Sequence, residues 1–248
     1  MPGLDWLTAQ PIAHRGLHNA AAGVIENTAS AFDAAIASHY GIETDLQISA
    51  DGEAMVHHDD ALGRLTDGSG RLADMQASDI QAVRFKTGQD RILTLGQLCQ
   101  RVAGRATLVL ELKSRLDGDL RLVRRCADVL AGYAGPVAVM SFDPAMIEAV
   151  RKIAPGLPRG IVAEHHYDHG EWDRLPRSEK RRMAHLLHAI RTRPHFVAYA
   201  VKDLPATAPL VARWVFGLKL LTWTVRNEQD RRRAARWADQ MIFEGMRP

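Results

Sequence analysis

Short apolar runs alternate along the chain with segments whose apolar residues recur at helical spacing, the pattern of βαβ units around a parallel sheet. Runs of strand character are Pro11–His14, Gly41–Gln47, Ala54–His57, Thr107–Leu112, Pro136–Ser141, Gly160–Ala163, Phe196–Val201 and Lys219–Val225. Gln240–Phe243 is a ninth candidate, one more than an eight-stranded barrel can place. Six residues separate the second run from the third, too few for a crossover helix, so one of that pair is expected to be a hairpin-like arm. Asp143 before Pro144 reads as a helix cap and first helical position, with Met146, Ile147 and Val150 on one face. Thr94 with Gln97 is a capping-box pair. Leu120, Val123, Ala127 and Leu130 form an apolar stripe at helical spacing, read as core packing. The predicted architecture is an α/β barrel of TIM (β/α)8 type.

Composition narrows this picture only modestly. A length of 248 residues suits one domain over 1–248, and 46% apolar residues can bury a sizeable core. Lys and Arg exceed Asp and Glu by 32 to 29, too little to argue for nucleic acid or a membrane surface. No apolar run approaches the length of a membrane span, so no stable membrane insertion is expected. Residues 1–10 lack a signal-peptide pattern, and a cytoplasmic location is the expectation. Cys99 and Cys126 are expected to be buried, reduced thiols. Glu164–Pro194 stands apart, with three histidines and a run of Arg and Lys. It is read as a solvated helical excursion at about 164–195, with an anion-binding or membrane-surface role as the alternative. Oligomeric state is left open.

The chemistry sits in four short motifs at candidate strand ends: Ala13-His14-Arg15-Gly16, Glu43-Thr44-Asp45, His57-His58-Asp59 and Glu111-Leu112-Lys113. Glu43 and Asp45 share one face of a strand, as do Glu111 and Lys113. Inward carboxylates are costly without a cation, and Glu43, Asp45 and Glu111 together make a hard oxygen site suited to Mg²⁺ or Ca²⁺. His14 and His58 can exchange protons near neutrality, Arg15 offers a fork for phosphate oxygens and Lys113 a point charge. The set points to phosphoester chemistry.

The order of these motifs resembles the glycerophosphodiester phosphodiesterase family of the phospholipase C-like phosphodiesterase superfamily. Ala13-His14-Arg15-Gly16 and Glu26-Asn27-Thr28 with Ala31-Phe32 match its opening. Glu43-x-Asp45, Asp51-Gly52, His58-Asp59 and the run Leu62 to Gly70 follow in order. Leu110 to Lys113, Ser141-Phe142-Asp143 and Trp223-Thr224-Val225 match later blocks. The likeness covers roughly residues 10–162 and 217–238.

The resemblance implies a metal-dependent hydrolysis of glycerophosphodiesters to sn-glycerol 3-phosphate and an alcohol. It assigns one divalent ion, Mg²⁺ or Ca²⁺ with Mn²⁺ also admissible, to Glu43, Asp45 and Glu111. His14 and His58 become the acid–base pair, and Arg15, Lys113 and Trp223 the substrate and phosphate contacts. His57 is read as structural. Asn27 either caps its helix or supports the metal site. His18 is read as a surface histidine. The expected partner is a small glycerophosphodiester. No aromatic cage for choline is evident, so tolerance of the alcohol is expected. A lysophospholipase D-type activity on lipid substrates and a silent ligand-binding barrel are the rival readings. The closing stretch Met241–Pro248 departs from the family, whose members end on an apolar run leading to Thr-Asp and a Pro. The blocks at Glu164–Pro194 and Val197–Pro209 have no counterpart.

Overall fold

A computed structural model describes residues 3–248. Its strands are β1 (Ile12–Ala13), β2 (Gly41–Ile48), β3 (Ala54–Val56), β4 (Ala61–Leu62), β5 (Gly70–Arg71), β6 (Leu108–Leu112), β7 (Val137–Ser141), β8 (Arg159–Ala163), β9 (Phe196–Ala200), β10 (Lys219–Val225) and β11 (Gln240–Phe243). Eight of them, β1, β2 and β6 through β11, pair in parallel, and β1 joins both β2 and β11 to close a barrel. The ninth candidate, Gln240–Phe243, is therefore a stave. The supernumerary one is Ala54–Val56, which runs antiparallel to β2 as the expected arm. The small β4–β5 hairpin carries no clear apolar alternation and was not foreseen.

Two faces of each stave go to two cores, because successive side chains point opposite ways. Ile12, Val109, Met140, Val162, Ala198, Leu221 and Ile242 fill the barrel, with Leu7 packed against them from the N-terminal segment. Ile42, Leu46, Leu108, Leu110 and Val139 face outward and meet Phe32, Leu98, Val123 and Met146 of the surrounding helices.

The helices are α1 (Ala29–Ala37), α2 (Ala77–Ala82), α3 (Leu95–Val102), α4 (Arg121–Leu130), α5 (Pro144–Ile153), α6 (Arg177–Ala184), α7 (Ala189–Thr192), α8 (Thr207–Trp214) and α9 (Glu228–Trp237). The Thr94–Gln97 capping box starts α3, and the Asp143 carboxylate accepts from Ala145 N ahead of Pro144 in α5. On α4 the buried face is Leu122, Val123, Cys126 and Leu130. The predicted stripe was therefore slightly rotated: Ala127 lies at its edge, and Leu120 precedes the helix. Cys99 and Cys126 are free and buried on α3 and α4, and burial pushes the Cys99 thiol up to about 11. Residues 164–195 form the crossover from β8 to β9. It carries α6 and α7 and a small core of Tyr167, Trp172, Met183 and Ala184, so the segment is only partly a solvated excursion. Among the described residues, no helix is long and apolar enough to cross a membrane.

Candidate active site

The inward register of the staves, continued past their C-terminal ends, builds the site. Ile12 is followed two residues on by His14, Met140 by Phe142, Val162 by Glu164, Leu221 by Trp223 and Ile242 by Glu244. On β2 and β6 the polar residues enter the staves themselves: Glu43 and Asp45, then Glu111 and Lys113, with Asp45 registered against Glu111. These side chains converge at the C-terminal mouth, the face that carries sites in this architecture. A cavity of about 290 Å³ opens there, lined by His14, Arg15, Glu43, His58, Glu111 and Lys113 on one side. Phe142, Glu164, His169, Trp172, Lys202 and Trp223 line the other side.

Glu43, Asp45 and Glu111 are buried, and one oxygen of each lies within 4.8 Å of the others. Lys113 Nζ bridges two of them, 2.9 Å from Asp45 Oδ1 and 2.7 Å from Glu111 Oε1. Arg15 lies against the third face: its backbone N–H donates to Glu43 Oε2 at 3.1 Å, and its Nε stands 3.3 Å from Asp45 Oδ2. The Nε–H is too skewed to hydrogen-bond there and has no other protein acceptor. Its Nη1 is anchored to Glu26 at 2.8 Å.

The charges do not balance. Burial, then repulsion from Asp45 and Glu111, pushes Glu43 well above its ordinary value, and burial likewise raises Glu111. Burial also works against ionised Asp45, but Lys113, His58 and Arg15 overcome it and hold that carboxyl low. Three carboxylates against Lys113 and Arg15 leave a negative excess in a dry place, which a divalent cation would relieve. The donor set is all oxygen and so fits a hard ion. Glu43, Asp45 and Glu111 could hold such a metal.

Each histidine has its own carboxylate. His14 Nδ1 is 2.8 Å from Glu244 Oε2, and Glu244 also takes Arg226 Nη2 at 2.8 Å. His58 Nδ1 is 2.8 Å from Asp59 Oδ1, and Arg64 clamps Asp59 and Glu26 together. A carboxylate only accepts, so the proton sits on Nδ1 and each Nε2 keeps its lone pair. Burial lowers His14, partly offset by the Glu244 hydrogen bond. Burial and then Lys113 bring His58 to about 4. Glu244 itself is held at about 2, the His14 hydrogen bond first among the causes that lower it against burial.

The structure brings all nine candidate residues to this mouth. Asn27 accepts from Thr44 Oγ1 and donates Nδ2 to Asp45 Oδ2 at 2.9 Å, while Thr28 caps α1. The helix-cap alternative for Asn27 therefore fails, because the chain turns at Asn27 (φ +58°) and starts the helix one residue later. Gly16, at φ +78°, passes so close to the Ala31 backbone that a Cβ would stand 2.9 Å from it, which fixes the first motif against α1. His57 is buried with Nδ1 on Asp59 O at 2.9 Å, turned away from the cavity. Trp223 donates its indole N–H to Ala198 O at 3.0 Å, so it offers the cavity a ring rather than a phosphate donor. His18 is not a surface residue: it sits partly buried, 3.9 Å from Glu244. Sequence reasoning missed Glu244, Glu164, Lys202 and Trp172. For the first two, the signal was their place two residues beyond an inward stave position.

Comparison with known proteins agrees with this architecture. The model of the glycerophosphoryl diester phosphodiesterase family matches residues 14–246. A glycerophosphodiester phosphodiesterase of Caldanaerobacter subterraneus subsp. tengcongensis is 28% identical over 239 residues, covering 90% of this chain and 88% of that protein. An Oleispira antarctica phosphodiesterase, solved with its product sn-glycerol-3-phosphate, superposes with a TM-score of 0.77 at 19% identity over 96% of this chain and 94% of its own. A glycerophosphodiester phosphodiesterase of Agrobacterium tumefaciens gives 0.71 at 21% identity, over 94% of each chain. With a closed barrel, a matching family model along nearly its whole length and the acidic mouth in place, the chain belongs to the glycerophosphoryl diester phosphodiesterase family and is a phosphoric diester hydrolase.

Proposed function

We propose that this cavity hydrolyses glycerophosphodiesters to sn-glycerol 3-phosphate and an alcohol, with Mg²⁺ or Ca²⁺, or alternatively Mn²⁺, held by Glu43, Asp45 and Glu111. The observation that carries the reading is the convergence of a buried carboxylate triad with two histidines, each fixed by its own carboxylate. Bound there, a divalent cation supplies charge stabilisation to the phosphate and acidifies a neighbouring hydroxyl.

The chain's own groups do the rest. Lys113 has three donors and spends two on Asp45 and Glu111, leaving one for a phosphate oxygen. The unpaired Arg15 Nε–H is a second candidate donor in a low-dielectric place, where such a bond is strong. One histidine Nε2 takes the proton of the attacking oxygen, the other, protonated, returns one to the departing alkoxide, and one water is consumed overall, its oxygen ending on phosphorus. Asn27 holds Asp45 in place. Trp223 packs on the substrate's carbon atoms.

A head-group diester is favoured over a lipid-tailed one by the shape of the mouth. About 290 Å³ is small, and its rim carries His169, Lys202 and Arg226. The exposed apolar residues Leu187, Ile190, Val211 and Phe216 line a separate groove between α7 and α8. A hydrolysis screen of glycerophosphocholine, glycerophosphoethanolamine, glycerophosphoinositol and a lysophospholipid with each metal tests the reading. Release of sn-glycerol 3-phosphate from the water-soluble diesters is expected. Turnover confined to the lysophospholipid, or none at all, would overturn it.

A further inference from the structure

The phosphate chemistry uses the half of the cavity built by β1, β2, β6 and β11, with His58 from beyond β3. The other half, at the ends of β7 through β10, holds a charged group with no part in that chemistry. Glu164, one residue beyond β8, has a side chain only 4% exposed. Its Oε1 meets His169 Nε2 at 3.1 Å and its Oε2 meets Lys202 Nζ at 3.2 Å. Both partners are loose by comparison, His169 at 55% and Lys202 at 60% exposure. A buried carboxylate whose cationic partners both reach into solvent is a poor device for stability, since its desolvation is only partly repaid. Its position in a cavity wall points instead to a ligand.

The same cavity carries three aromatic rings, Phe142, Trp172 and Trp223, a cluster that the sequence motifs did not disclose. Phe142 packs on Trp172 with ring centroids 5.1 Å apart, and edge-on against Trp223 at 5.5 Å. With its N–H tied to Ala198, Trp223 shows the cavity only carbon. We infer that this half of the cavity is a subsite for a neutral polyol leaving group, with Glu164 and Lys202 reading adjacent hydroxyls and the aromatic wall covering the carbon face. The assignment rests on the diester-hydrolase reading above.

Hydrogen-bond capacity and charge select this class. Each Glu164 oxygen has one protein partner and a lone pair to spare, and Lys202 has two donors to spare. The pair thus presents an acceptor beside a donor, the complement of neighbouring hydroxyls, which both donate and accept. Glu164 and the aromatic rings attract an ammonium head group, but the Glu164 charge is already met by Lys202 and His169, and Arg226 stands in the same wall. A second anionic group would meet these cations only beside the Glu164 carboxylate. A polyol such as glycerol or inositol meets neither penalty, and its C–H face suits an indole ring.

The test compares kcat/KM for glycerophosphoinositol and bis-glycerophosphate with that for glycerophosphocholine, in the intact protein and in Glu164→Gln and Lys202→Met. The intact protein is expected to prefer the polyol diesters by about tenfold or more, the worth of a good hydrogen bond to a charged group. Each variant should lose roughly that factor on the polyol diesters, through KM, and lose less on the choline diester, so that the preference collapses. Lys202 is mostly exposed, so that variant will fold even where Glu164→Gln is unstable. A preference for the choline diester, or equal losses on both head groups, overturns the subsite. Calorimetric Kd values for the intact diesters, measured on chelator-treated protein, read the same ratio without turnover. Failure to hydrolyse any diester would sink the enzymatic reading, while the Kd ratio would still decide the subsite.

Discussion

Replacing Glu244 by Gln removes one charge and keeps the shape of the residue that holds His14. The structure gives the magnitude. Glu244 Oε2 takes the His14 Nδ1–H at 2.8 Å, a charge-assisted bond worth about 1.5–3 kcal/mol. The carboxylate is 24% exposed and shared with Arg226, which argues for the lower end of that range. A loss of about 1.5 kcal/mol is roughly tenfold in rate. The amide adds a second cost, because its NH2 can turn to Nδ1 and force the ring proton onto Nε2, the nitrogen that faces the reaction. The combined expectation is a fall in kcat of about 10- to 100-fold, with KM nearly unchanged. The direction with pH follows as well. Glu244 holds His14 up against the burial that lowers it, so its loss moves His14 lower still. The limb of kcat/KM that reports His14, the acid limb if it is the base and the alkaline limb if it is the acid, should therefore shift to lower pH, and Glu244→Asp should recover part of the rate. Steady-state kinetics on a glycerophosphodiester, with sn-glycerol 3-phosphate measured by a coupled dehydrogenase, reads all three effects. A kcat within about threefold of normal, with both limbs unmoved, would refute the reasoning.

Four further outcomes are expected. His14→Ala and His58→Ala should each lose about 10²-fold or more in kcat/KM, while His57→Ala loses melting temperature rather than turnover. An activated leaving group such as p-nitrophenolate should rescue only the variant that lacks the acid. The intact enzyme should show a bell-shaped kcat/KM with both limbs below the ordinary histidine value of 6.5, since burial lowers both rings; two limbs above it would contradict the environment described. Glu43 is raised above its ordinary 4.5 in the fold, so what it adds to stability is present at acid pH and lost as pH rises through the raised value. Divalent cation needs the ionised form, so the melting-temperature gain on adding Mg²⁺, followed by scanning calorimetry, should grow from pH 4.5 to neutrality; a gain independent of pH would count against it.

How much of this was readable from the chain differs by element. The staves were legible because parallel strands buried on both faces make short continuous apolar runs, and Gly41–Ile48 and Lys219–Val225 are long enough to stand out. The arm at Ala54–Val56 could be told from a stave by loop length alone. Glu43, Asp45, Glu111 and Lys113 were legible because charges in an apolar strand demand a reason. Glu244 and Glu164 were not, because each lies outside its apolar run, and only knowledge of which stave residues face inward places them in the mouth. Asn27 was ambiguous for a local reason: Asn and Thr are both good caps, and only the backbone decides that Thr28 takes the role. Trp172 and His169 belong to the long crossover after β8, whose path no local periodicity specifies.

The central claim is that the buried triad holds the divalent ion on which turnover depends. Isothermal calorimetry of Mg²⁺, Ca²⁺ and Mn²⁺ into chelator-treated protein, for the intact chain and for Glu43→Gln, tests it directly. Glu43→Gln keeps the volume and removes one of three ligand charges, so affinity should fall by about tenfold or more and diester turnover with it. For the intact chain, one ion should bind and restore activity lost to the chelator. Equal affinity in Glu43→Gln, or full turnover in chelator, would contradict the account.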